Sequence, residues 1–173
     1  MTRVAIFIDG SNLYHSLKKD FGRANIDFAK FVQKLVAGRE LVRVYYYNAP
    51  IPQEPHNKIA YRKQQQFFDY LRDLPYFRVT LGRLEQRPAG LVEKGVDINI
   101  AVDMLRYAFD DLYDVAILVS GDGDFASAVQ AVQDRGKHVE NAISKSGQSR
   151  HLRQTCDTCL TLDETMLADI WLK

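Results

Sequence analysis

The chain has 173 residues, 46% of them hydrophobic and 26% charged, with a formal net charge of +1 at pH 7. That length suits one domain able to bury about 70% of its unfolded surface without disulfide staples. The near-neutral balance excludes a global field for nucleic acid. The opening apolar run stops at Asp9, too soon for a signal-peptide core or a membrane span, so no membrane association and a cytoplasmic location are expected.

RVAIFI at 3–8 is short, apolar and β-branched, which predicts a strand buried on both faces. The SNLYHSLKK that follows reads as a helix capped by Ser11 or Asn12. DFAKFVQKLV at 27–36 carries apolar residues at 28, 31, 32, 35 and 36, a helical stripe with Asp27 as its cap. LVRVYYYNA at 41–49 predicts a strand and the Pro-rich IPQEPHN a loop. A long amphipathic helix follows at about 57–73, then a strand at 76–85. RPAGLVEKG at 87–95 reads as a loop, 96–109 as a helix and 113–120 as a strand. DFASAVQAVQDRG at 124–136 predicts a helix closed by Gly136, and 137–144 a strand. Beyond it, 149–155 reads as a short helix, TLDETM as a turn and 163–172 as a terminal helix. Strands alternating with helices predict a parallel sheet covered on both faces. Ligands of such sheets bind beyond the carboxyl ends of the strands, where the strand order reverses.

Two acids end strands under this reading. Asp9 closes the first and Asp122 follows the 113–120 strand, each with a glycine next to it and a helix start beyond. If the strands are neighbours, both carboxylates enter one crevice. In the helix 96–109, Asn99, Asp103, Arg106 and Asp110 form one polar outward stripe, whereas Asp97 falls on the row of Ala101, Met104, Leu105 and Ala108, the core-facing side. Each acid also has a plainer use: Asp9 in a strand-to-helix turn, Asp122 and Asp124 in a turn with an N-cap, and Asp97 as a dipole partner. Four carboxylates gathered at one crevice need a divalent cation or raised pKa values. Oxygen-only donors suit Mg²⁺ or Mn²⁺ rather than zinc.

Other features are less directive. Cys156 and Cys159 form a lone CxxC with no second pair and with His151 at poor spacing, so they read as reduced cysteines without a role. Basic residues cluster at Lys18, Lys19 and Arg23, at Lys58, Arg62 and Lys63, and at Lys145, Arg150, His151 and Arg153. Such clusters are compatible with phosphate contacts and equally with solvated helix faces. Tyr14, His15 and Tyr45, Tyr46 and Tyr47 could stack on single-stranded RNA, though tyrosines in a strand more often pack.

FIDGSN at 7–12, KGVDINIAVDML at 94–105 and VSGDGDF at 119–125 resemble, in order, the three signature blocks of the NYN domain. This is a PIN-like, FLAP-nuclease-related family, and the similarity is to its LabA-like bacterial branch, over roughly residues 1–165. The resemblance implies a three-layer α/β fold with a mostly parallel sheet of five or six strands. It also implies metal-dependent endoribonuclease chemistry, with Asp9, Asp97, Asp122 and Asp124 holding Mg²⁺ or Mn²⁺. In that picture Asp9, Asp97 and Asp122 are the catalytic acids. Asn12 orients the attacking water or a phosphate oxygen, Lys94 meets a phosphate, and Ser120 supports the carboxylate loop. Asp103 belongs to its block by resemblance but stands off-site by spacing. Two other readings stay open: a non-catalytic RNA-binding adaptor of the same fold, and a haloacid-dehalogenase-type phosphatase. The phosphatase needs a second acid where Ser11 stands.

Overall fold

The computed structural model describes residues 1–173. The elements in chain order are β1 (Arg3–Asp9), α1 (Gly10–Phe21), α2 (Phe28–Val36), β2 (Glu40–Asn48), α3 (Lys58–Asp73) and β3 (Phe77–Leu81). A hairpin of β4 (Arg83–Arg87) and β5 (Gly90–Lys94) precedes α4 (Val96–Phe109). Then come β6 (Val115–Val119), α5 (Ala126–Gln133), β7 (His138–Ser144), α6 (Arg150–Thr155), β8 (Thr158–Leu162) and α7 (Glu164–Leu167), with single 3-10 turns at Gly123–Phe125 and Lys145–Gly147.

The main sheet has six strands in the order β3-β2-β1-β6-β7-β8, and every neighbouring pair in it is parallel. Period-two alternation divides β1 between two cores. Val4, Ile6 and Ile8 pack with α1, α2 and α3, while Ala5 and Phe7 pack with α4 and α5. Helices therefore cover both faces, as an all-parallel sheet requires. The chain runs outward from β1 to β2 and β3, then returns through α4 to β6 on the other side of β1. The strand order thus reverses between β1 and β6, which opens a crevice at their carboxyl ends.

The structure departs from the sequence reading in four places. The segment 87–95, read as a loop, forms the second half of an antiparallel hairpin with Arg83 opposite Lys94. The strand 76–85 is accordingly broken at Gly82 into β3 and β4. TCLTL, not assigned to the sheet, is β8, paired parallel with β7. The terminal helix is confined to α7, after which Trp171 bridges back to Ile26. No helix is long and apolar enough to cross a membrane.

Candidate metal centre

The crevice between β1 and β6 is an open pocket of about 360 Å³ lined by Asp9, Ser11, Asn12, His15, Ser16, Lys19, Glu93, Asp97, Asp122, Ser146 and Gly147, none of them hydrophobic. Strand register explains why two of the acids meet. Ile8 on β1 lies opposite Val119 on β6, so the chain leaves both strands at one level, and Asp9 and Asp122 follow within three residues.

Asp9 is buried and serves two ends at once. Its Oδ1 accepts the Asn12 N–H at 3.2 Å, capping α1, while its Oδ2 accepts the Ser120 hydroxyl at 3.1 Å. Ser120 Oγ in turn accepts the Asp122 N–H at 3.2 Å. Asn12 closes the circuit from the other side, its Oδ1 accepting the Gly121 N–H at 2.8 Å. The exit of β6 is held from behind by the buried Asn141 of β7, whose Nδ2 donates to the carbonyls of Leu118 at 3.0 Å and Ser120 at 2.7 Å. Gly121 is obligatory for steric reasons, since a Cβ there would stand 1.6 Å from the Gly147 carbonyl oxygen. The 145–147 turn that presses on it is tied to α1 through Asp20, which accepts the Ser146 N–H at 2.8 Å.

The remaining acids arrive from the hairpin and α4. Gly95 has φ +85°, a left-handed turn that few other residues adopt, and it redirects the chain from β5 into α4. Glu93 and Asp97 flank that turn and both reach the pocket.

Electrostatics follow from this crowding. Burial lifts the Asp9 carboxyl from 3.8 to about 6 against the pull of its hydrogen bonds, and the charges of Glu93 and Asp122 add to the rise. Asp97 is likewise raised to about 6, by desolvation first and then by Asp9, Asp122 and Asp124, with the Asp122 carboxyl close enough to share a hydrogen bond. Glu93 is raised by burial and by Asp97. The charges that add to the rise of these three groups are those of other carboxylates.

Asp9, Asn12, Asp97 and Asp122 thus meet as the sequence reading expected, whereas others do not. Asp97 is solvent-exposed at the pocket mouth, off the core-facing row, which is Val96, Ile100, Met104, Tyr107 and Ala108. Asp124 is exposed and outside the pocket lining, its N–H donating to Asp122 Oδ1 at 2.9 Å. Lys94 is also outside the lining, because strand alternation sends the neighbouring Glu93 inward instead. Ser120 is fully buried and bonded on both sides, so it holds the loop and does not face the pocket. Asp103 is not a solvated outward acid: its side chain is 17% exposed, it accepts the Tyr47 hydroxyl at 2.8 Å, and it pairs with Arg106 at 3.3 Å. Tyr45, Tyr46 and Tyr47 are core residues, which removes them as stacking surfaces. Glu93 is the site residue that sequence reasoning missed, and the alternation of GLVEK would have exposed it had the hairpin been recognised. Cys156 is buried and Cys159 exposed, both as free thiols.

A family model, the NYN domain, matches residues 3–163. The chain belongs to the NYN domain family. This NYN domain is 29% identical over 172 residues to the low amplitude and bright protein LabA of Synechococcus elongatus, covering 94% of this chain and 85% of LabA. It is 27% identical to an uncharacterized protein of Methanocaldococcus jannaschii, covering 96% of this chain and 58% of that longer one. Among solved structures, a protein of unknown function from Vibrio parahaemolyticus is similar at TM-score 0.74 and 31% identity, over 94% of each chain. The fold is the PIN-like α/β arrangement, and membership of this family sets the phosphatase reading aside.

Proposed function

We propose that this NYN domain is a metal-dependent endoribonuclease that hydrolyses RNA phosphodiester bonds with Mg²⁺ or Mn²⁺. The observation that supports it is one pocket lined by Asp9, Glu93, Asp97 and Asp122 with no hydrophobic side chain. Carboxylates this crowded raise one another's pKa, and a hard divalent cation relieves that repulsion through oxygen ligands. The donor set fits Mg²⁺ or Mn²⁺ in charge and chemistry. The fit is of donor type and not of a ready-made cage, since no three His, Cys, Asp or Glu groups converge into one. When bound by Asp9, Asp97 and Asp122, with Glu93 beside them, such an ion supplies an activated water and neutralises phosphate charge.

The chain's own residues do the rest. His15 and Lys19, one helical turn apart on α1, put basic groups in the same pocket as the acids, which suits the phosphates next to the scissile one. Asn12 spends its Oδ1 on Gly121 and keeps its Nδ2 for a phosphate oxygen or the attacking water. Tyr14, 52% exposed beside His15, offers a stacking surface for a base. Ser120 and Asn141 act indirectly, by keeping Asp9 and Asp122 in register. The substrate these features favour is single-stranded RNA.

A non-catalytic RNA-binding adaptor is the second reading, favoured by the missing preformed cage. Incubating mixed-sequence RNA with the wild type and Asp122→Asn, in Mn²⁺ and in Mg²⁺, separates the two. The nuclease reading expects cleavage by the wild type and a loss of about 100-fold or more in the variant. RNA that is bound yet left equally intact by both proteins supports the adaptor instead.

A further inference from the structure

Tyr46 carries a hydroxyl proton that its place in the core does not use. It is buried in β2, opposite Ile8 of β1, and its ring is held edge to face by Phe28 and Phe67, each with its centroid 5.8 Å away. The hydroxyl end reaches the first residue of α1. A Cβ on Gly10 would run into the Tyr46 hydroxyl oxygen and the ring carbon that bears it, so the phenol stands directly against the residue that follows Asp9. Two hydrogen bonds fix how the hydroxyl is used. Asn48 Oδ1 accepts the Ala49 N–H at 2.8 Å, which turns the amide so that its Nδ2 donates to the Tyr46 oxygen at 3.1 Å. Tyr46 is therefore an acceptor toward Asn48, and its own proton is left for another partner.

Backbone contacts bring Glu93 to this place. The Asn48 carbonyl accepts the Gly82 N–H at 2.7 Å, and Gly82 lies so close to β5 that a Cβ on it would stand 2.5 Å from the Lys94 carbonyl oxygen. The base of the β4–β5 hairpin is thus docked on the end of β2, with Glu93 next in sequence to the contact. The charged groups that act on the Tyr46 phenol are accordingly Asp9 and Glu93. Asp9 already accepts from Asn12 and Ser120. Glu93 is half-buried, and burial and the Asp97 charge act on its carboxyl with no hydrogen bond to offset them. A buried donor with a spare proton and a half-buried carboxylate with no donor complement one another. We infer that Tyr46 is a positioning residue for the cation site: its hydroxyl donates to the Glu93 carboxylate and holds that acid, with the hairpin carrying it, toward Asp9 and Asp97 when a divalent cation is bound. The inference rests on the cation-site reading above and adds to it a donor from outside the pocket lining. Tyr46 acts through Glu93, as outer partners orient the carboxylates of metal sites.

Mn²⁺ titrations without RNA test it, with free Mn²⁺ read from its electron paramagnetic resonance signal. The proteins are the full-length wild type, Tyr46→Phe, Glu93→Ala and the double variant. Tyr46→Phe removes a single oxygen and should raise the Mn²⁺ dissociation constant about 10-fold. Glu93→Ala should raise it at least as much. Adding Tyr46→Phe to Glu93→Ala should then change it by less than about 2-fold, because the hydroxyl has nothing left to hold. A merely structural role for Tyr46 would cost the same in both backgrounds. Far-UV circular dichroism checks that each variant folds. If Tyr46→Phe does not, Gly10→Ala, whose methyl group must displace the phenol, takes its place in the same cycle. A Tyr46→Phe protein that binds Mn²⁺ as tightly as the wild type, or a loss that persists undiminished in Glu93→Ala, would overturn the inference and leave the cation site standing. A wild type that binds no Mn²⁺ would overturn the cation site and this inference with it.

Discussion

Asp9→Asn should make the metal-free protein more stable at neutral pH, although it removes a central site residue. In the folded chain burial raises the Asp9 carboxyl from 3.8 to about 6. A proton held that much more tightly in the folded than in the unfolded state means that ionised Asp9 destabilises the fold by about 3 kcal/mol well above pH 6. The asparagine is isosteric, its Oδ1 can still accept the Asn12 N–H, and the Ser120 hydroxyl can turn to accept from the new amide. Some cap charge is lost, so the net gain near pH 8 should be about 1–3 kcal/mol, or about 3–9 °C in Tm for a chain of this size. The gain has a required pH dependence. A raised carboxyl contributes stability that is full below its unfolded value and lost as pH rises through the folded one. The difference between the two proteins must therefore shrink as pH falls from 8 through 6 and vanish near 4. Urea unfolding of both proteins in a metal chelator, at intervals across that range, gives the difference directly. Equal or lower stability of Asp9→Asn near pH 8, or a difference that stays flat down to pH 4, would refute the reasoning.

Further outcomes follow from the same geometry. Gly121→Ala puts a methyl group where the Gly147 carbonyl now stands, 1.6 Å away. The 145–147 turn must then move, and stability should fall by about 1–3 kcal/mol in a urea titration, together with any activity of the pocket. The thiols should differ in reactivity: burial pushes Cys156 up to about 12, while Cys159 is exposed and the rise that desolvation causes there is opposed by the charge of Arg153. An aromatic disulfide reagent near pH 8 should therefore titrate one thiol in the native protein and both in denaturant. Addition of Mn²⁺ should raise the Tm of the wild type, by the equivalent of about 2.7 kcal/mol at a concentration 100-fold above Kd. Asp9→Asn should lose most of that increase in differential scanning fluorimetry.

Much of the architecture was legible because the physics was local. Buried parallel strands such as RVAIFI and VAILV are unmistakable runs, and Asp-Gly after each marks where the chain turns toward a helix. From these the adjacency of β1 and β6 stood only as a condition, and the strand order supplies it, bringing Asp9 and Asp122 to one pocket. What was lost depends on context that no single segment carries. The β4–β5 hairpin is short, polar and solvated, so its residues lack the period that betrays a buried strand, and Glu93 was lost with it. β8 is an edge strand with four of its five residues exposed, and it reads like a turn for the same reason. Asp103 was misplaced because helical spacing cannot know that Tyr47 from β2 will reach over to bond it. Asp97 was assigned to the core side by the same arithmetic, whereas the turn at Gly95 carries it to the pocket mouth. Asn141, silent within KHVENAIS, matters only once β6 and β7 are paired.

The account rests on Asp9, Asp97 and Asp122 acting together as one cation site. The most direct measurement is anomalous diffraction from a crystal soaked in Mn²⁺, repeated with Asp122→Asn. The account predicts a peak within about 2.0–2.4 Å of carboxylate oxygens from at least two of these aspartates, weakened or lost in the variant. An anomalous map with no peak in this pocket at saturating Mn²⁺, or a peak that the variant leaves unchanged, would contradict it.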